Sequence, residues 1–181
     1  MLSQIEIALE IASNAHEGQM YGDSKVPYMY HLQMVYGVAV ARNAPADMDS
    51  TQQYHTIPKL NTLLSVALLH DVLEDTLLTA DDLSMMGVWD NIVEALVILN
   101  KNNFETYKKY MIACRSHPVA KEIKICDTIS NLSMSTMEGR TGRIKKYSSQ
   151  LNILMKEEFP SKIRKKNVFE GYLGEDYYVG E

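Results

Sequence analysis

The amino-acid sequence predicts an all-α fold, a single-domain helical bundle. Apolar residues recur at intervals of three and four along most of the chain, which is the period of an amphipathic helix. No segment carries a strand signal stronger than the helical one, and no internal repeat or low-complexity tract interrupts the pattern. A length of 181 residues suits one compact domain with its own core.

The first half of the chain is predicted to contain three helices separated by two loops. Apolar residues at positions 5, 8, 9, 12 and 15 predict the first helix, and residues 28–41 the second, after a loop at 18–27. The polar segment from Asn43 to Pro58 contains two prolines and is predicted to be a long surface loop. A largely buried helix then carries His70 and is expected to end near Asp75.

The second half of the chain is predicted to be helical as well. The segment from Thr79 to Leu83 resembles a capping box, so a short helix is expected to begin there. Further helices are expected near 88–99, 104–115, 117–136 and 143–155. One domain is therefore expected over residues 1–160, with 161–181 as a tail that belongs to it or docks on it.

Composition and charge disfavour several functional classes. The net charge of −5 argues against non-specific nucleic-acid binding, which needs a broad basic surface. No apolar run is long enough to cross a membrane, and the first residues lack the pattern of a signal peptide. Cys114 and Cys126 form no CxxC pair and are typical of a reducing compartment. We expect a cytoplasmic protein without nucleic-acid or membrane partners, and the sequence carries no indication of its oligomeric state.

The most informative segment is the run from Ala67 to Thr76. It places four ionisable side chains in one of the most hydrophobic stretches of the chain, namely His70, Asp71, Glu74 and Asp75. Burying a charged group without a partner costs several kcal/mol, so such groups are usually neutralised or coordinated. In a continuous helix His70 would share a face with Glu74, and Asp71 would share one with both later acids. The segment therefore indicates one wall of a metal site.

Further candidate site residues lie outside this run. Asp127 has mostly apolar neighbours, with Asn131 one turn later on the same face, and it is either a site residue or a polar exception on a helix. A second imidazole ligand would come from one of the remaining histidines, His16, His31, His55 and His117. A basic cluster is either a solvated helix face or a phosphate contact, and its members are Arg140, Arg143, Lys145 and Lys146.

Four motifs, in this order, resemble those of the HD-domain phosphohydrolases. The chain has A-H-x-G-Q at 15–19, P-Y-x-x-H at 27–31, A-L-L-H-D-x-x-E-D-T at 67–76 and K-x-x-D-x-x-x-N at 124–131. The closer resemblance is to the alarmone hydrolases, both the small stand-alone enzymes and the hydrolase domains of bifunctional alarmone synthetase-hydrolases. The resemblance covers about residues 4–155.

The resemblance implies an HD-type helical domain and a metal-dependent (p)ppGpp 3′-pyrophosphohydrolase that leaves GDP or GTP. It implies one divalent cation, usually manganese in this branch, with the ligands His31, His70, Asp71 and Asp127. Such a cation lowers the pKa of bound water and polarises a phosphoryl oxygen. Glu74 and Asp75 match the catalytic acids that handle the attacking water and the leaving group. Asn131 matches a substrate-contacting asparagine, and Lys101 matches a lysine that could neutralise phosphate.

The chain departs from the family pattern in the loop after Gly18 and Gln19. The family's arginine, which lies against the guanine base, is replaced by Tyr21, and Lys25 could partly stand in for the missing cation. Tyrosine can stack on a base but brings no charge, so guanine specificity stays open. The candidate substrate contacts are then Asn131, Lys101, Tyr21, Lys25, Arg143 and Lys145. Two alternatives remain, a phosphohydrolase of another nucleotide (a nucleoside mono- or triphosphate) and a module that senses a nucleotide without turnover.

Overall fold

The fold is all-helical over the residues that the structure, a computed structural model, describes. These are residues 3–22, 25–45 and 50–156, with the backbone alone described over 50–57. In this part of the chain the helices are, in order, α1 (Gln4–Ala15), α2 (Met29–Asn43), α3 (Ser50–Leu69), α4 (Val72–Asp75), α5 (Ala80–Met85), α6 (Asp90–Leu99), a 3₁₀ turn (Lys101–Asn103), α7 (Tyr107–Ser116), α8 (Pro118–Met137) and α9 (Thr141–Met155). The predicted all-α bundle is confirmed.

Helix α3 is the centre of the bundle. It packs against α1 and α2, and it also touches α6 and α8, while α9 packs along α8. Its residues 62–69 are all buried, and Val66, Ala67 and Leu69 are fully buried. A helix that is buried on every side needs neighbours that cover every side. The chain therefore wraps the remaining helices around α3 and brings α2 and α8 against each other.

Local sequence signals set several of the helix ends. Ser3 and Glu6 form a capping box at the start of α1, and Thr79 and Asp82 form the predicted one at the start of α5. Helix α8 begins with Pro118, whose missing N–H costs nothing at a first helical position. Short polar motifs therefore define where the chain enters these helices.

The predicted surface loop from Asn43 to Pro58 is wrong over its second half. Helix α3 begins at Ser50 and carries Pro58 within it. The loop was inferred from polar composition and proline, and the apolar stripe of this helix begins only at Leu60. Once the buried half of a helix is formed, adding further turns requires no new nucleation, so polar turns can extend it. Polar composition alone therefore does not distinguish a polar helical extension from a loop.

The predicted continuous helix through Asp75 is also wrong. Helix α3 ends at Leu69, and α4 is a separate short helix that begins at Val72. Between them, the Nδ1 atom of His70 donates a hydrogen bond of 2.9 Å to the carbonyl of Ala67. A side chain that binds a carbonyl of the last helical turn replaces the backbone bond which would continue the helix. The imidazole of His70 therefore helps to close the turn in which α3 ends.

Some expectations concern residues that the structure does not describe. The domain boundary at residue 160 and the tail at 161–181 lie outside the described residues, as does the side chain of His55.

No helix in the described ranges combines the length and the apolar character that crossing a membrane requires.

The packing around α6 gives a test of the core. Leu96 is fully buried, whereas Leu77 is fully exposed. We expect Leu96→Ala to lower the free energy of unfolding by about 2–5 kcal/mol, because it removes buried methyl groups and leaves a cavity. Leu77→Ala, the matched control, should change it by less than about 0.5 kcal/mol. Urea denaturation followed by circular dichroism measures both, and equal effects would contradict the described packing.

Candidate metal centre

Three buried side chains from separate parts of the bundle meet at one point. His31 lies in the first turn of α2, His70 in the turn after α3, and Asp127 in the middle of α8. Each offers a ligand-type atom, and these atoms lie within 4.8 Å of one another. Asp127 Oδ1 is 3.3 Å from Nε2 of His31 and 3.9 Å from Nε2 of His70. The arrangement has the size and the donor types of a site for one cation.

The imidazole of His70 is oriented for coordination. Its Nδ1 atom donates to the Ala67 carbonyl, so Nε2 is directed toward the group. Nε2 is buried and has no hydrogen-bond partner among the described residues, although the carboxylate of Asp71 is near. A buried polar atom without a partner is costly, and a metal ion would satisfy it. The residues therefore fit a divalent metal ion.

Asp71 lies at the side of this group rather than within it. Its Oδ2 atom is 3.0 Å from Nε2 of His70 and 3.5 Å from Nε2 of His31. The same oxygen accepts a hydrogen bond of 2.7 Å from the hydroxyl of Tyr28. Three of the predicted ligands thus form the compact group, and the fourth contacts both of its histidines.

The opposite charges of the histidines and the carboxylates offset the cost of burying them. Burial opposes the charged form of His31, but its contacts with Asp127 and Asp71 outweigh burial and raise its pKa to about 9. Burial also opposes the charged form of His70, but the charge and hydrogen bond of Asp71 and the charge of Asp127 together outweigh burial and raise the pKa of His70. The pKa values of the two carboxyls are lowered despite burial, that of Asp71 chiefly by His70 and that of Asp127 chiefly by Lys124. The site therefore favours anionic carboxylates beside positive charge.

Both oxygens of Asp127 are held by neighbours on its own helix. Lys124 Nζ donates to Oδ2 at 2.8 Å, and the Asn131 amide donates to Oδ1. Burial disfavours the ammonium of Lys124, but Asp127 and the hydroxyls of Tyr110 and Tyr107 together outweigh burial and raise the pKa of Lys124. Asn131, predicted to contact substrate, is therefore bonded to a candidate metal ligand in this structure.

Tyr21 packs against the same centre. Its ring stacks on the imidazole of His31, with centroids 4.8 Å apart and planes 8° apart. Its hydroxyl donates a hydrogen bond of 2.7 Å to Oδ1 of Asn131. Burial, together with the nearby hydroxyl of Tyr147, raises the pKa of Tyr21 to about 12. The residue thus lies over the metal centre, at the position where the resembling family has an arginine.

The break after α3 changes the neighbours of Glu74 and Asp75 from those predicted. Glu74 does not pair with His70; it accepts hydrogen bonds from the ammonium and the backbone N–H of Lys101. The hydroxyl of Tyr28 lies between Asp75 and Asp71. It is 2.7 Å from the Oδ2 atom of both residues. The two predicted catalytic acids therefore stand on α4, directly after the metal group, with separate partners.

Basic side chains converge on the Asp127 side of the site. Partial burial and the positive charges of Lys124 and Lys101 lower the pKa of Lys146, and Arg143 adds to the effect. Arg143 and Lys145, both predicted to contact substrate, are exposed on α9, and Lys25 is exposed in the loop before α2. Lys146 and the hydroxyl of Tyr28 were not among the predicted site residues. For Lys146, its place in the basic cluster was the available signal.

Comparison with known proteins agrees with the fold. The sequence matches no protein-family model and no curated protein. The structure is similar to the solved structure of a metazoan ortholog of SpoT, described as hydrolysing ppGpp and playing a role in starvation responses. The TM-score is 0.66 at 18% sequence identity, and the match covers 86% of this chain and 87% of that one. The chain has the all-helical HD-type fold that its motifs predict.

Proposed function

We propose that this protein is a metal-dependent phosphohydrolase that binds one divalent cation through His31, His70, Asp71 and Asp127. One observation carries the proposal: two imidazoles and a carboxylate from separate helical segments meet in a buried group of an HD-type fold. Mixed nitrogen and oxygen ligands suit Mn²⁺, Fe²⁺ or Zn²⁺. The resemblance to the alarmone hydrolases favours Mn²⁺ among these.

The chemistry is divided between the cation and the protein side chains. A divalent ion at this place would lower the pKa of bound water and polarise a phosphoryl oxygen. Glu74 and Asp75 orient or deprotonate the attacking water and return a proton to the leaving oxygen. Lys101 holds the Glu74 carboxylate, and the hydroxyl of Tyr28 ties Asp75 to Asp71. These contacts fix the acids before a substrate arrives.

The proposed substrate is (p)ppGpp, and the proposed bond is the one that joins its 3′-diphosphate to the ribose. A water oxygen bonds to phosphorus, the 3′ oxygen leaves as a hydroxyl, and the products are pyrophosphate and GDP or GTP. The Glu74-Asp75 pair and the structural similarity to a protein described as hydrolysing ppGpp support this choice. The diphosphate would meet Lys101, Arg143 and Lys145, with Lys25 and Asn131 nearer the nucleoside. We place the activity in the cytoplasm.

Tyr21 favours a second candidate function. It brings no positive charge to the position of the family's arginine, and its hydroxyl is already bonded to Asn131. A site with less affinity for guanine could act on another nucleotide, such as a nucleoside mono- or triphosphate. The protein would then keep the same metal centre and the same acids.

A nucleotide panel separates the two functions. We expect purified protein with Mn²⁺ to convert ppGpp to GDP and pyrophosphate. Ion-exchange chromatography measures the nucleotides, and a pyrophosphate assay measures the other product. Release of monophosphate alone, or activity confined to other nucleotides, would support the second function. Absence of turnover with Mn²⁺, Fe²⁺ and Zn²⁺ across the whole panel would contradict both.

Asp127 tests the metal assignment. We expect Asp127→Ala to lose both bound metal and turnover, because it removes a buried ligand while leaving the imidazoles in place. Metal content is measured by mass spectrometry, and folding is checked by circular dichroism. Asp81→Ala, which removes an exposed acid from α5, is the control and should keep both. A full metal complement in the Asp127 variant would show that the ligand is wrongly assigned.

Glu74 tests the acid–base role. Glu74→Ala should keep metal and fold while turnover falls by about 10²- to 10⁴-fold, because a positioned proton-transfer group is removed. The measurements are kcat with Mn²⁺, metal content and thermal unfolding, and Glu10→Ala removes an exposed glutamate of α1 as the control. Unchanged turnover would mean that Glu74 serves only to pair with Lys101.

A further inference from the structure

Tyr21 makes two separate contacts with the candidate metal centre. Its ring lies almost parallel to the imidazole of His31, at 4.8 Å between centroids. Its hydroxyl donates to Oδ1 of Asn131 across 110 residues of sequence. The loop that carries Tyr21 is held close to α2, since Tyr28 N donates to the carbonyl of Gln19 at 2.9 Å. The residue is therefore fixed over the site by contacts at both ends of its side chain.

The hydroxyl of Tyr21 completes the hydrogen bonding of the Asn131 amide. An amide oxygen only accepts hydrogen bonds and an amide nitrogen only donates them. With Oδ1 taken by Tyr21, Nδ2 of Asn131 faces Asp127 and donates to its Oδ1 atom and to its backbone carbonyl. A reversed amide would place two acceptors together at Asp127. The acceptors of Asp127 therefore fix the orientation of the amide, and the hydroxyl of Tyr21 anchors its oxygen end in that orientation.

Oδ1 is the oxygen of Asp127 that faces the histidines. It lies 3.3 Å from Nε2 of His31, whereas Oδ2 is bonded to Lys124 at 2.8 Å. The direction of the candidate ligand oxygen thus depends on Lys124 from one side and on Asn131 from the other. Partners behind a metal ligand commonly change metal affinity by about 10- to 100-fold when they are removed.

We infer that Tyr21 is a positioning residue of the metal centre, which orients His31 through its ring and Asp127 through Asn131. This inference rests on the metal-binding part of the proposed function. It assigns to Tyr21 a role different from contact with a nucleobase. The chain thus uses this loop position to build the metal centre, and base selection falls to other residues.

The test measures metal affinity in the absence of any nucleotide. Tyr21→Phe keeps the ring on His31 and removes only the hydroxyl. We expect the dissociation constant for Mn²⁺, measured by isothermal titration calorimetry, to rise about 10- to 100-fold, with thermal unfolding of the metal-free protein unchanged. Tyr30→Phe is the matched control, because Tyr30 is 40% exposed on the first turn of α2. It should bind Mn²⁺ like the unmodified protein.

A double variant tests the route through Asn131. Asn131→Ala should weaken Mn²⁺ binding at least as much as Tyr21→Phe. Because the hydroxyl acts through the amide, the combined variant should bind no more weakly than Asn131→Ala alone. If the two single losses of Mn²⁺ affinity multiply in the combined variant, Tyr21 does not act through Asn131.

The outcomes separate this inference from the proposed function. If Asp127→Ala loses metal while Tyr21→Phe binds Mn²⁺ like Tyr30→Phe, the inference fails and the metal assignment stands. If Tyr21→Phe raises only KM for a nucleotide, with metal affinity intact, Tyr21 contacts substrate and the inference fails as well. If the unmodified protein binds none of Mn²⁺, Fe²⁺ and Zn²⁺, both are overturned.

Discussion

Two imidazoles and two carboxylates lie together where α2, the end of α3 and α8 meet. His31, His70 and Asp127 are each less than 10% exposed, and none of them could be buried alone without a large desolvation cost. Their opposite charges make the burial possible, but only if α2, the end of α3 and α8 approach one another closely. The constraint therefore acts on the whole bundle, since these are the helices that also build its core.

The break after Leu69 follows from this constraint. On a continuous helix, adjacent side chains point about 100° apart, so His70 and Asp71 would diverge. In the observed turn Nε2 of His70 and Oδ2 of Asp71 are 3.0 Å apart, and both face His31. The same turn sets the direction of α4 and thus places Glu74 against Lys101 and Asp75 against Tyr28. The turn at His70 and Asp71 therefore positions both the candidate metal ligands and the acids beside them.

The sequence predicted the long amphipathic helices well and the local breaks poorly. Helices α1 and α8 lie within one residue of the predicted ends at Ala15 and near 117–136, because their apolar stripes are regular. The turn at His70 depends on one side chain that binds the backbone, and the polar start of α3 has no apolar stripe, so periodicity indicated neither. Convergence of His31, His70 and Asp127 came from the family resemblance, since spacing along the chain says nothing about distance between helices. The contact of Tyr21 with Asn131 had no signal in the sequence, because it joins residues 110 positions apart.

Charge balance accounts for the burial of these four groups at one place. The raised pKa values of His31 and His70 favour imidazolium, which offsets the charges of Asp71 and Asp127. Two imidazolium protons can be exchanged for one divalent cation with no change in the net charge of these four groups. A divalent cation at this place would therefore require no large rearrangement of charge, and the contacts of Asp127 with Lys124 and Asn131 could stay in place.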